Sequence, residues 1–129
     1  MKFQMKEGGF TTEFPYGRLD VSSDEAYGFR PYQLMVASIA VCSGGVLRKI
    51  LAKQRMEIED IQIEANVERN KEEADRIEKI EVHFLIKGKN LKEEKLKKAM
   101  DLTRKNCSMV QSVVPAIEVI ETFEMIPAE

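Results

Sequence analysis

The chain has little of the chemistry on which most enzymes depend. Its 129 residues include one histidine, two cysteines and no tryptophan, with no glycine-rich phosphate loop and no cluster of metal-type residues. A structural zinc site needs about four ligands, and a Ser-His-acid triad would have to use the single histidine with a serine that lacks a nucleophile-elbow context. Sulfur is the one plainly reactive group, so an enzyme of this sequence is expected to use a thiol.

Composition indicates one globular domain spanning residues 1–129. An apolar fraction of 43% and a charged fraction of 33% are typical of a folded, soluble protein rather than a disordered one. The formal net charge of −2 comes from many charges of both signs. This balance does not favour a nucleic-acid partner.

The apolar segments favour a cytoplasmic protein with no membrane partner. The N-terminal segment, residues 1–7, lacks the apolar region and cleavage site of a secretory signal. The apolar run from Leu34 to Cys42 is interrupted by Ser43, Gly44 and Gly45, which leaves it short of a membrane span. Thiols are normally kept reduced in the cytoplasm, so the cysteines are expected to be reactive or buried rather than permanently bonded.

Hydrophobic periodicity predicts an α+β fold. An N-terminal antiparallel meander is followed by a long central helix, from about Tyr32 to Met56, that carries Cys42. Pro31 lies near its first turn, where a missing N–H is tolerated. An antiparallel β-hairpin comes next, with alternation centred on residues 61–67 and 80–86.

Two further helices and a strand are predicted after the hairpin. Asn90 is expected to cap a charged helix from Leu91 to about Lys105, with Glu93 completing a capping box. Asn106 or Cys107 begins a second short helix, and Pro115 ends it. The C-terminal strand then alternates apolar residues with polar ones, namely Ile117, Val119, Phe123 and Met125.

Two glycines interrupt the central helix directly after Cys42. Gly44 and Gly45 each cost about 1 kcal/mol relative to alanine inside a helix. Their presence predicts that another backbone packs very close to the helix at this point.

The two cysteines have different expected environments. Cys107, behind an Asn106 cap, is predicted in the first turn of a helix, where a thiol pKa falls. Cys42 lies in an apolar helix and needs a buried arginine or another hydrogen-bond donor to become reactive. For each cysteine an inert core position is the alternative, and for His83 a solvated strand position is favoured over a catalytic base.

The two cysteine segments resemble those of the OsmC and Ohr proteins. The segment from Phe29 to Cys42 is similar to the family's cysteine helix, in which a proline, here Pro31, lies eleven residues before the cysteine. The segment from Asn106 to Ser112 is similar to the second motif, a helix start of the type Cys-Pro/Ser-x-Ser. The spacing of the cysteines and the order of elements extend this resemblance over essentially the whole chain.

The resemblance implies a thiol-dependent peroxidase that reduces organic hydroperoxides to alcohols. It further implies an OsmC-like, intertwined homodimer with its site at the subunit interface. Cys42 would attack the peroxide and become a sulfenic acid, and Cys107 would condense with it to an intramolecular disulfide. A dithiol, lipoyl-type or another small thiol, would then reduce that disulfide by exchange. No metal, flavin or other cofactor is implied.

One feature of the family is missing from this chain. Family members carry a glutamate just after the helix-opening proline, where this sequence has Tyr32 and Gln33. That glutamate would orient the arginine that activates the peroxidatic cysteine. Arg30 is the expected substitute for this arginine, and Arg18 is the second candidate, since a lowered thiol pKa calls for a nearby cation.

Two other functions stay open. The first is an OsmC-like protein without efficient peroxidase activity that binds a small apolar ligand, and Tyr32 and Gln33 favour this alternative. The second is an interaction module whose cysteines are inert.

Overall fold

Within residues 1–128, six strands and three helices follow one another in the order that the hydrophobic pattern predicts. The computed structural model describes residues 1–128. Its elements are β1 (Gln4–Lys6), β2 (Gly9–Phe14), β3 (Gly17–Val21), α1 (Pro31–Lys53), β4 (Glu57–Asn70), β5 (Arg76–Lys89), α2 (Glu93–Asn106), α3 (Ser108–Val113) and β6 (Glu118–Pro127). The predicted α+β class, with its meander, cysteine helix, hairpin, two helices and final strand, is confirmed.

The chain separates into two compact units, Met1–Ala37 and Ser38–Glu129. Helix α1 begins in the first unit and continues into the second. The expectation of a single domain over residues 1–129 stays a prediction.

The first unit is built on the predicted antiparallel meander, in the order β1, β2, β3. Gly8 makes the turn between β1 and β2 with a φ of 77°, a conformation that a residue with a side chain rarely adopts. A Cβ atom at Gly8 would also lie 2.2 Å from the ring of Tyr27. The turn therefore requires glycine both for its backbone conformation and for the packing of Tyr27.

The second unit is built on a sheet in the order β4, β5, β6. Strands β4 and β5 are antiparallel, whereas β5 and β6 are parallel, so β5 is the central strand. Alternate side chains of β5 are fully buried on one face, namely Ile80, Val82, Phe84 and Ile86. Both hairpin strands extend well beyond their predicted apolar segments, because backbone pairing continues through the charged residues up to the turn.

Helix α1 packs closely on this sheet at Gly44. A Cβ atom at Gly44 would lie 2.6 Å from Cδ1 of Ile63 and 3.7 Å from Cε1 of Phe84. The prediction of a close-packed backbone is wrong here, because the atoms that approach Gly44 belong to the side chains of Ile63 and Phe84. At Gly45 the prediction is wrong, because a Cβ atom there would meet nothing within 4 Å among the described residues.

Helix α1 is slightly shorter than the predicted span of Tyr32 to Met56, and it is apolar over most of its length. An 18-residue window within its 23 residues has a mean hydropathy of 1.7, so the helix could cross a membrane by length and composition alone, a test that core helices of soluble proteins also pass. It has the buried residues of a core helix, namely Ile39, Ala40, Ser43, Gly44, Leu47 and Leu51. The expectation that this segment falls short of a span is wrong by length and composition, because apolar residues continue past the glycines to Leu51.

Both predicted asparagine caps are wrong. Asn90 has a φ of 56° and lies in the turn after β5, so α2 begins at Glu93 with Lys92 as its N-cap. Asparagine tolerates this left-handed conformation better than most residues do. Asn106 is the last residue of α2, and its Nδ2 donates to the carbonyl of Leu102 at 2.8 Å.

Candidate active site

Cys107 forms the corner between α2 and α3. It is both the C-cap of α2 and the N-cap of α3, with extended backbone angles. Its N–H donates to the carbonyl of Thr103 at 2.9 Å, and its own carbonyl accepts from the N–H of Gln111 at 3.0 Å. The side chain is fully buried. One residue therefore joins the two helices and fixes the direction of the first N–H groups of α3, which have no partner within their own helix.

Cys42 lies on α1 and is brought to this corner by the fold. Its Sγ is 3.8 Å from Oγ of Ser108, the first residue of α3. The same sulfur is within hydrogen-bond reach of the Cys107 thiol and of the backbone N–H groups of Ser108 and Met109. The structure thus brings the two predicted catalytic cysteines together, with Cys42 only partly buried and Cys107 fully so.

The donors around Cys42 favour its thiolate. Burial alone would raise the pKa of this thiol, but hydrogen bonds from the Met109 N–H, the Cys107 thiol and Ser108 outweigh it. The pKa of Cys42 therefore lies below its ordinary value. The donor that the sequence analysis required for Cys42 is supplied in part by the start of α3.

Cys107 has the opposite shift. Burial raises the pKa of its thiol, the neighbouring Cys42 raises it further, and the N–H of Val110 offsets only part of this effect. The prediction that Cys107 has a lowered pKa is wrong. Asn106 does not cap α3, and although the N–H groups of Val110 and Met109 lower the pKa of Cys107, burial and the neighbouring Cys42 raise it by more.

Both candidate arginines lie in the first unit. Arg18 donates from Nε to Oδ1 of Asp20 at 2.8 Å and to Oγ1 of Thr11 at 3.2 Å, and its side chain is 59% exposed. The guanidinium of Arg30 lies 4.8 Å from the centroid of the Tyr32 ring. Its buried Nε has no hydrogen-bond partner among residues 1–128. That either arginine activates Cys42 stays a prediction.

A buried carboxylate next to the cysteine pair was missed. Glu121 of β6, whose side chain is 4% exposed, accepts a hydrogen bond from Ser43, the residue after Cys42, and pairs with Arg104 of α2 at 3.5 Å. The sequence does carry a signal for it. Glu121 interrupts the apolar alternation between Val119 and Phe123, which is an unusual place for an acid.

His83 lies away from this site. On β5 it alternates with the buried Val82 and Phe84 and so points to the other face of the sheet. Its Nδ1 is 2.6 Å from Oγ1 of Thr122 and its Nε2 is 3.3 Å from Oε2 of Glu124. Within residues 1–128, no group of three or more His, Cys, Asp or Glu could hold a metal ion.

The chain is similar to several known proteins. A family model described as OsmC-like protein matches residues 22–122. Protein YhfA of Escherichia coli K12 is 26% identical over 99 residues, 76% of this chain and 74% of that protein. Organic hydroperoxide resistance protein OhrB of Bacillus subtilis is 35% identical over 80 residues, 62% of this chain and 58% of that protein. The crystal structure of a hypothetical protein from Aquifex aeolicus matches with a TM-score of 0.88 and 27% identity, covering 99% of this chain and 96% of that one.

Proposed function

Because the chain belongs to the OsmC-like protein family, we propose that it is a thiol-dependent peroxidase that reduces organic hydroperoxides to alcohols. One observation carries the proposal. Two cysteines meet at the start of α3, and only Cys42 has a lowered pKa. The partly exposed thiol is thus the more ionised of the two, as a peroxidatic cysteine must be.

In the first step, the thiolate of Cys42 attacks the distal oxygen of the hydroperoxide. A sulfur–oxygen bond forms, the oxygen–oxygen bond breaks, and the alkoxide leaves with a proton from solvent as an alcohol. Cys42 is oxidised to a sulfenic acid. The hydroxyl of Ser108 and the N–H of Met109 hold the sulfur in position before the attack.

In the second step, Cys107 attacks the sulfur of the Cys42 sulfenic acid. A disulfide forms, the sulfur–oxygen bond breaks, and hydroxide leaves with a proton as water. The charge of Cys42 is one cause of the raised pKa of Cys107. Oxidation of Cys42 to a neutral acid removes that cause and so lowers the pKa of Cys107, while burial continues to raise it.

In the third step, a dithiol of lipoyl or similar type reduces the disulfide through a mixed disulfide, and is itself oxidised. Attack falls on the sulfur of Cys42, because Cys107 is fully buried. Cys107 then leaves as the thiol. This cycle needs a reducing compartment, which supports a cytoplasmic location.

We also propose that the protein acts as a homodimer. Large apolar side chains are exposed in each unit, with Met5 and Phe10 on the meander and Val41, 67% exposed, directly before Cys42. Isolated exposed residues are ordinary, but an apolar side chain beside the reactive thiol supports a second copy at this face. Sedimentation equilibrium on the wild type and on Val41→Glu tests this, and a wild-type monomer would contradict it.

The central experiment measures consumption of cumene hydroperoxide with dihydrolipoamide as the reductant. Cys42→Ser is expected to reduce turnover at least about 100-fold. Without the dithiol, Cys107→Ser is expected to consume one equivalent of peroxide and to retain a sulfenic acid that a dimedone label detects. Turnover that survives in Cys42→Ser would remove the mechanism.

A wild-type protein without turnover would favour the alternative of an OsmC-like protein that binds a small apolar ligand. The absence of the family glutamate, with Tyr32 and Gln33 in its place, is what supports that alternative. Arg30→Met and Arg18→Met, compared in the same assay, test the predicted activating arginine. Arg30 is the stronger candidate, because Asp20 already neutralises Arg18.

A further inference from the structure

We propose that Glu121 is a positioning residue that holds the two cysteine-bearing segments at their working separation. Glu121 belongs to β6, and its carboxylate contacts Ser43 of α1 and Arg104 of α2. Neither of these contacts involves a cysteine sulfur. The proposal deepens the proposed peroxidase function, since it concerns the geometry on which both thiol steps depend.

The contact to α1 is made through Ser43. This serine is fully buried, and its hydroxyl donates a short hydrogen bond to Oε2 of Glu121. Ser43 directly follows Cys42, so this bond fixes the rotation of α1 at the residue next to the reactive sulfur. A helix turns by about 100° per residue, and a small rotation here moves Sγ of Cys42 relative to α3.

The contact to α2 is made through Arg104. Its Nη1 lies 3.5 Å from Oε1 of Glu121 and donates to the carbonyl of Val119 at 2.7 Å. The carbonyl of Arg104 accepts from Nε2 of Gln111 in α3 at 2.9 Å. Arg104 lies three residues before Cys107, so Glu121 and Arg104 attach the α2–α3 corner to β6.

The cost of burial supports a specific role for this carboxylate. A buried charge is expensive unless it is paired and hydrogen-bonded, and Glu121 takes a position where the strand otherwise carries apolar residues. The contacts of this carboxylate link α1 to the α2–α3 corner. The contact of Cys42 with Ser108 is 3.8 Å long, so a small displacement between these segments would break it.

Replacement of Glu121 by glutamine, an amide of the same shape, distinguishes a positioning role from a purely electrostatic one. The two roles predict opposite changes in the pKa of Cys42. Removal of a negative charge near a thiolate should lower the thiol pKa, whereas displacement of its hydrogen-bond donors should raise it. We therefore expect Glu121→Gln, in a Cys107→Ser background, to raise the pKa of Cys42 measured from the pH profile of iodoacetamide alkylation. Alkylation near neutral pH should slow about fivefold to tenfold. Glu118→Gln, an exposed change on the same strand, should leave the profile unchanged.

A second readout follows the approach of the two sulfurs. With both cysteines present, diamide-driven formation of the Cys42–Cys107 disulfide should slow about tenfold in Glu121→Gln and not in Glu118→Gln. Arg104→Met should have a similar effect, and Arg104→Lys should restore part of the rate. If Glu121→Gln does not fold, Ser43→Ala and Arg104→Met give the same measurements with the carboxylate retained.

An unchanged or lowered pKa of Cys42 in folded Glu121→Gln, or an unchanged disulfide rate, would overturn the proposal. Neither measurement uses a peroxide. A protein without peroxidase activity can therefore still show both effects, and loss of the proposed function is distinguished from loss of the positioning role.

Discussion

Cys42 and Cys107 share one neighbourhood and have opposite pKa shifts. Cys42 is partly exposed and receives hydrogen bonds from the start of α3, while Cys107 is fully buried and is disfavoured further by the charge of its neighbour. Amides at the start of α3 lower the pKa of both thiols, but only at Cys42 do the hydrogen bonds outweigh burial. A position at the start of a helix is therefore not enough to lower a thiol pKa when the side chain is fully buried.

The largest expected effect is a difference in alkylation rate between the two thiols. In Cys107→Ser, the remaining Cys42 should react with iodoacetamide near neutral pH about 100-fold faster than Cys107 does in Cys42→Ser, because ionisation and exposure both favour Cys42. Rates measured in denaturant provide the control and should be equal. Equal rates in the folded proteins would remove the distinction between the two cysteines.

A smaller effect is expected when the donors of α3 are removed. Ser108→Ala deletes the hydroxyl beside Cys42, and Ser108→Pro also deletes the N–H at a position where a helix tolerates proline. Alkylation of Cys42 near neutral pH should slow about threefold in the first variant and about tenfold in the second. Ser112→Ala is the matched control, since that hydroxyl donates to the carbonyl of Ser108 instead. A proline variant that reacts as fast as the wild type would show that these donors are not responsible.

The smallest expected effect is on the pH dependence of stability. The pKa of Cys42 is lower in the folded protein, so its contribution is complete above the unfolded thiol pKa of about 8.5 and is lost as pH falls through the folded value. The pKa of Cys107 is higher in the folded protein, so its contribution is complete below about 8.5 and is lost as pH rises through the folded value.

Urea unfolding under reducing conditions can measure both contributions. Relative to Cys42→Ser, the wild type should gain stability as pH rises towards about 8.5, and relative to Cys107→Ser it should lose stability above that pH. The first change should stay under about 1 kcal/mol, because solvent screens the partly exposed Cys42. A loss of stability relative to Cys42→Ser as pH rises towards about 8.5, or a gain relative to Cys107→Ser above that pH, would contradict the directions of the two pKa shifts.

The order of the elements could be predicted because it depends on local pattern. Periods of two and of about three to four residues distinguish strands from helices, and Pro31 marks the start of α1. The helix starts could not be predicted as well. Asn90 and Asn106 are residues that cap helices, but each also fits the other roles they have here, a left-handed turn and a helix C-terminus.

The candidate site was predictable in its residues but not in its electrostatics. The resemblance to a known family pointed to Cys42 and Cys107, which the structure brings together. The donors to Cys42 come from residues 65 to 67 positions further along the chain, a contact that no local pattern contains. Glu121 was visible only as an interruption in a strand, and its partners Ser43 and Arg104 come from two other elements.

The corner at Cys107 also limits how this protein can change in length. Helix α2 ends and α3 begins at the same residue, so the connection has no spare position. A single inserted or deleted residue at this corner would change the direction in which α3 begins and move Ser108 and Met109 relative to Cys42, without altering either side chain. We therefore expect the number of residues between the two helices to be as restricted as the identity of the cysteine itself.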